Sequence, residues 1–130
     1  MKTIKGKFEV KGTPLPTDAA VEAMGAMRMK FEKVFSGPLE AKSIAAMMGC
    51  MNQELGSGAY VALEMVTGSL AGRKGTFQLQ HSSTMARGKP TQSVTVIPDS
   101  GTGELSGLSG KMTIDIVEKV HFYTFEYELP

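Results

Sequence analysis

The chain has 130 residues, 14 Lys and Arg against 13 Asp and Glu, and a single cysteine. That length holds one domain with a real core and is short for two. A net charge near zero with no basic block argues against a nucleic-acid partner, no apolar run is long enough to span a bilayer, and one cysteine excludes an internal disulfide.

The first segment alternates cleanly. From Lys2 to Lys11, Ile4, Gly6, Phe8 and Val10 point one way, and Lys5, Lys7, Glu9 and Lys11 the other. That is a strand with one buried and one solvated face. The alternation stands where a secretion signal would have its apolar run, so the expected location is cytoplasmic, which the lone Cys50 also fits. Pro14 and Pro16 are expected to break the strand, and Asp18 to Met24 could form one helical turn but is read as loop. A second strand is predicted from Gly25 to Ser36, with Met27, Met29, Phe31, Lys33 and Phe35 on one face. Lys33 is the odd member there. Either it sits near a rim with its ammonium in water, or it is an anion-binding or Schiff-base lysine.

Gly37-Pro38 makes a turn. Leu39 to Met51 is rich in Ala and Met and would pass for a helix by propensity, but the tight turn and the neighbouring strands favour a third strand. A polar loop from Asn52 to Gly58 leads to the central hairpin, Ala59 to Ser83. Two runs rich in β-branched, aromatic and aliphatic residues meet there at Ala71-Gly72. Taken as a two-residue loop, this turn pairs Leu70 with Arg73, Val66 with Phe77, Glu64 with Leu79 and Ala62 with His81. Tyr60, Ala62, Glu64, Val66, Phe77, Leu79 and His81 then share one face. Glu64 and His81 become diagonal neighbours, roughly 7–8 Å apart at the backbone, a gap their side chains can close. A loop longer or shorter by one residue would put them on opposite faces.

The other side of the same segments is also apolar: Ile44, Ala46 and Met48 on one strand, Val61, Leu63 and Met65 on the next. A small barrel should be polar outside, so a homo-oligomer is expected, joined through the outer faces of segments 39–51 and 59–68.

Thr91 to Ile97 is a strand ended by Pro98. Asp99 to Gly110, DSGTGELSGLSG, has too many glycines for a packed strand and reads as an ordered loop closed onto the barrel by Leu105 and Leu108. No helix follows it to supply a phosphate-binding N-terminus. Lys111 to Val117 is the seventh strand. The last sets His121, Tyr123, Phe125, Tyr127 and Leu129 against Phe122, Thr124, Glu126 and Glu128. Hairpin-type connections between about eight strands predict an all-β fold, a single closed antiparallel up-and-down β-barrel over residues 1–130.

Four stretches together resemble a family of small, mostly bacterial domains of unknown function. They are FSG at Phe35 to Gly37, VTGSLAGRKGTFQLQHSS from Val66, IPDSGTGELSGLSG from Ile97 and FYTFEYEL from Phe122. The resemblance covers nearly the whole chain in the expected order, and is weakest around Gly25 to Lys30 and Ala45 to Met51. It implies a closed barrel related in fold to allene oxide cyclase. It carries over none of that enzyme's functional residues and does not imply its activity.

Glu64 and His81 are the candidate catalytic pair. Burial in an apolar barrel is expected to raise the pKa of the Glu64 carboxyl, and a nearby imidazole can share or relay its proton. The bland alternative is a buried pair that fixes register, or a Glu64 ion pair with Lys33 or Arg73. Tyr60, Phe77, His121, Tyr123, Tyr127 and Lys33 are the candidate ligand-binding residues. The phenols and imidazole would orient a carbonyl or carboxylate while the rings form apolar wall, or they are ordinary core with polar tips at the rim. Met27, Met29 and Met47 read as core fillers, Cys50 has no cationic neighbour in sequence, and no nucleophile elbow is present. Two histidines and one cysteine do not make a zinc site, and no metal or cofactor is expected. Three functions stay open: a module binding a small, largely apolar ligand in the barrel, a cofactor-free isomerase, cyclase or lyase using Glu64 and His81, and a structural oligomer with a filled barrel.

Overall fold

Strand alternation of this kind closes on itself here. In the computed structural model, which describes residues 1–130, eight strands follow one another around a barrel, each antiparallel to the next, with β1 meeting β8. They are β1 (Lys2–Pro14), β2 (Met27–Ser36), β3 (Leu39–Asn52), β4 (Ser57–Leu70), β5 (Arg73–Ala86), β6 (Lys89–Val96), β7 (Ser109–Val117) and β8 (Val120–Glu128). The Ala- and Met-rich third segment is a strand because both its edges are paired, to β2 and to β4. No helix is long and apolar enough to cross a membrane.

The β4–β5 hairpin has the register read from its turn. Leu70 pairs with Arg73, Val66 with Phe77, Glu64 with Leu79 and Ala62 with His81. Ala71 and Gly72 both have positive φ, 48° and 86°, as a two-residue turn twisted with its strands requires.

Three local expectations are corrected. Pro14 does not break β1: it is the strand's last residue, opposite Met29, and the next amide, Leu15 N, donates to Arg28 O at 3.0 Å. A proline at a strand end costs no ladder bond that its neighbour cannot supply. Asp18 to Met24 is not all loop. Ala19–Ala23 forms one helical turn, α1, because the Asp18 carboxylate accepts from Val21 N at 3.0 Å as an N-cap. The second strand begins at Met27 rather than Gly25, whose φ of 64° belongs to the turn after α1.

One end of the barrel is solid. Leu39, Val66, Leu70, Phe77, Leu79 and Phe125 fill it, and Phe125 stacks between Phe77 at 5.8 Å and Tyr127 at 5.3 Å. The Gly-rich loop after β6 caps this end with Leu105 and Leu108, both buried. Leu105 is the last residue of a short turn, Gly103–Leu105. The loop is held to β5 by Thr102 and Ser100, whose hydroxyls accept from Thr76 N and Gln78 N, both at 3.0 Å. Gly75 permits that approach, since a Cβ there would lie 2.0 Å from Thr102 O.

The wall is uneven. Most neighbouring strands pair over seven or more residues, but β6 and β7 pair only through Val94–Met112 and Thr95–Lys111. Beyond Val94 the Gln92 side chain takes over: its Oε1 accepts from Ile114 N at 2.7 Å and its Nε2 donates to Ile114 O at 3.4 Å. Outside, β3 and β4 carry a row of apolar side chains, with exposed Ile44 paired to exposed Met65 and half-buried Met48 to exposed Val61. Val61 is 52% and Leu63 60% exposed.

Candidate functional site

The other end of the barrel is hollow because small residues replace large ones at inward positions. β3 and β4 present Leu39, Val66 and Leu70 at the solid end but Ala45 and Ala62 beyond them. The result is a cavity of about 310 Å³ walled mainly by Phe8, Val10, Phe31, Tyr60, Ile114 and Ile116. Met47 and Tyr60 also border a second, mostly apolar chamber of about 260 Å³ at the same end, which includes Met27, Met51, Met85 and Ser83. The Ser83 hydroxyl is buried there without a hydrogen-bond partner in the protein.

A buried ion cluster forms the floor. Glu64 is 2% exposed and Lys33 8%. Oε1 of Glu64 accepts from Lys33 Nζ at 3.1 Å and lies 2.6 Å from His81 Nε2, while Oε2 accepts from Ser43 Oγ at 2.5 Å. The Lys33 ammonium also stands 5.0 Å from the centre of the Phe8 ring, a cation–π distance. Four strands therefore converge on one carboxylate: β2, β3, β4 and β5.

The electrostatics reverse one expectation. Burial alone would raise the Glu64 pKa, as anticipated. The hydrogen bond from His81, the positive charge of Lys33 and the Ser43 hydroxyl outweigh it, and the carboxyl is held down at about 2. Glu64 is thus a fixed carboxylate and an acceptor only. His81 Nε2 must then carry the hydrogen, leaving Nδ1 as the ring's remaining polar atom, bonded to no other group in the protein.

The structure sorts the candidate residues into two groups. Lys33, Tyr60, His81 and His121 line the cavity, and Glu64 lies directly beneath it. Phe77, Tyr123 and Tyr127 do not reach it: all three are packed in the solid end. Lys33 does not hold its ammonium in water at a rim, because Glu64 draws it inward, and Arg73 plays no part in that ion pair. Sequence reading passed over Ser43 and Ser83, polar residues at inward positions of otherwise apolar strands, and that pattern was the available signal. Gln92 had none, because its role exists only where β6 and β7 part.

These features define a class of protein: a closed, eight-stranded antiparallel barrel, solid at one end and hollow at the other, with a buried ion cluster between. The profile of the family described as "Protein of unknown function (DUF3224)" matches residues 4–127, and the chain belongs to that family. It is similar to a solved crystal structure, a protein of unknown function of the DUF3224 family from Shewanella oneidensis MR-1. The two are 42% identical, the match covers 100% of this chain and 98% of the other, and the TM-score is 0.91. No curated protein matches the chain.

Proposed function

We propose that the barrel binds a small, largely apolar molecule with one polar end, held in the hollow half with that end on the floor. One observation supports this above the rest: an apolar-walled cavity of about 310 Å³ ends on Lys33 and His81, each with polar hydrogen-bonding capacity that no protein group uses. Pockets that select small molecules have this character, mostly apolar with a few convergent polar groups. Tyr60 and His121 stand on the walls, where their polar tips add orientation. A barrel serving only as a structural element gains nothing from leaving this end empty, since each unfilled methyl-sized space costs stability.

Native mass spectrometry of the purified protein, under gentle and then harsh desolvation, tests the reading. A releasable small molecule that is lost in Ala62→Leu, where the new side chain enters the cavity, is the expected result. A wild type and an Ala62→Leu variant that bind apolar probes such as 2-naphthol equally well would rule the cavity out as the site. The same spectra count subunits, which tests the expectation that the outer apolar row seats a second copy. Leu63→Lys should then give the monomer, and a monomeric wild type would remove that expectation.

A further inference from the structure

The floor has the parts of a proton-transfer site. Glu64 is not on the cavity surface, so it cannot touch a bound molecule, but it accepts the Nε2 hydrogen of His81 and so fixes that ring's tautomer and orientation. In the neutral ring the free Nδ1 is then an acceptor. Lys33 has three N–H donors. One goes to Glu64 Oε1 and the Phe8 ring faces the ammonium, which leaves donor capacity with no acceptor in the protein. Because Lys33 and His81 share the same carboxylate oxygen, a donor and an acceptor stand side by side at the bottom of an apolar cavity. Of the other polar side chains on the cavity, Gln92 is bonded to Ile114, while Tyr60 and His121 stand on the walls and are not joined to the Glu64 cluster.

We propose that this floor catalyses proton transfer at a carbon next to a carbonyl group, with His81 as the base and Lys33 holding the carbonyl oxygen. The proposal rests on the cavity being a ligand site. His81 Nδ1 takes the proton from the α-carbon. The C–H electron pair becomes the C=C bond of an enolate, and the carbonyl π pair moves to oxygen. The Lys33 ammonium donates a hydrogen bond to that oxygen, an interaction strengthened as charge develops there. The carboxylate of Glu64 stabilises the imidazolium formed. Return of a proton from Nδ1 to carbon restores His81: at the same carbon, after the Nδ1 hydrogen has swapped with one from water, it leaves an exchanged carbonyl compound, and at a conjugated position it leaves an isomerised one. No oxidant, metal or cofactor enters the balance. His81 and Lys33 are the catalytic residues in this scheme, and Glu64 is a positioning residue.

Two bicyclic probes of suitable size test it. 2-Tetralone has acidic α-hydrogens, and 2-naphthol imitates its enol. The expected result is that 2-naphthol binds and that wild-type protein in D₂O exchanges the α-hydrogens of 2-tetralone ~100-fold faster than buffer, as followed by NMR. His81→Gln should return the rate to that of buffer. A nitrogen-15 spectrum of the wild type should show His81 protonated on Nε2, with the Nδ1 signal moving when 2-naphthol is added. That spectrum needs no variant to fold. If 2-naphthol binds while exchange runs at the buffer rate, the chemistry is overturned and the binding reading stands. If a folded His81→Gln variant keeps the wild-type rate, or Nδ1 does not respond to bound 2-naphthol, His81 is not the base. If 2-naphthol does not bind, both readings fail for this head group.

Discussion

The Tyr123 hydroxyl accepts a hydrogen bond from Leu39 N at 3.1 Å and donates one to Ser36 O at 2.9 Å. One side chain of β8 thereby satisfies two backbone groups that flank the tight turn between β2 and β3, and it does so inside the solid end. Tyr123→Phe leaves both groups without that partner. The expected loss is about 1–3 kcal/mol, the cost of stranding buried polar groups. Urea denaturation should show a lower midpoint with an unchanged slope. Binding of 2-naphthol in the cavity should be unaffected, since Tyr123 is not among its walls.

Gly6 is the residue that lets this phenol in. A Cβ at position 6 would lie 2.4 Å from Ser36 O and 2.4 Å from the Tyr123 hydroxyl oxygen. The first of these atoms is backbone and cannot swing aside. Gly6→Ala should therefore destabilise by at least the ~1–3 kcal/mol usual for overpacking. A melting temperature within a degree of wild type would show that β1 and β2 can part without cost.

Acid should weaken the protein through Glu64. Its folded pKa is about 2 against an ordinary 4.5, so the carboxyl is depressed by folding. A depressed acid contributes stability that is fully present above its unfolded pKa and is lost as pH falls through its folded one. The window is thus from about 4.5 down to about 2, and the size is about 3 kcal/mol at the top of it. Urea midpoints measured across that range should fall steeply in wild type and less steeply in Glu64→Gln. Parallel curves for the two proteins would mean that other carboxyls carry the acid response. Ser43→Ala removes one of the bonds that depress Glu64, so its acid transition should begin at higher pH than that of wild type.

Ser83 offers a prediction of opposite sign. Its hydroxyl oxygen is buried with no partner in the protein, and the residue is only 8% exposed. Replacing an unsatisfied hydroxyl by a methyl removes a desolvation cost, so Ser83→Ala should stabilise the protein by about 1 kcal/mol. A thermal melt decides it. A destabilised variant would indicate that the hydroxyl has a partner in solution, with a bound molecule in the second chamber the first to examine.

The barrel was legible because its information is local. Alternation gives each strand a face, and the Ala71-Gly72 turn sets the register that brings Glu64 and His81 together. Pro14 misled because a single residue's missing donor says nothing about whether the next amide can replace it. The site was only half legible for a similar reason. That Glu64 and His81 share a face follows from counting, but the charge state of Glu64 depends on Lys33 and Ser43, which arrive from other strands. Burial and the neighbouring His81 were visible in sequence, and an ion pair with Lys33 stood as an alternative, but only the assembled strands show that the partners together outweigh burial. Tyr123 and Tyr127 alternate with the same phase as His121, yet only His121 lies at the hollow end. Phase tells in from out, whereas position along the barrel axis comes from how the strands are staggered.

A wall is only as durable as its least-stitched seam. Between β6 and β7 two residue pairs and one carboxamide do what fourteen pairs do between β3 and β4 and thirteen between β4 and β5. Local opening follows the line of fewest bonds, and Ile114, Ile116 and Gln92 beside this line are also walls of the cavity. The side of the barrel is thus weakest where it borders the cavity. A molecule bound as proposed above would find its shortest way out along this seam, once the Gln92 amide lets go of Ile114.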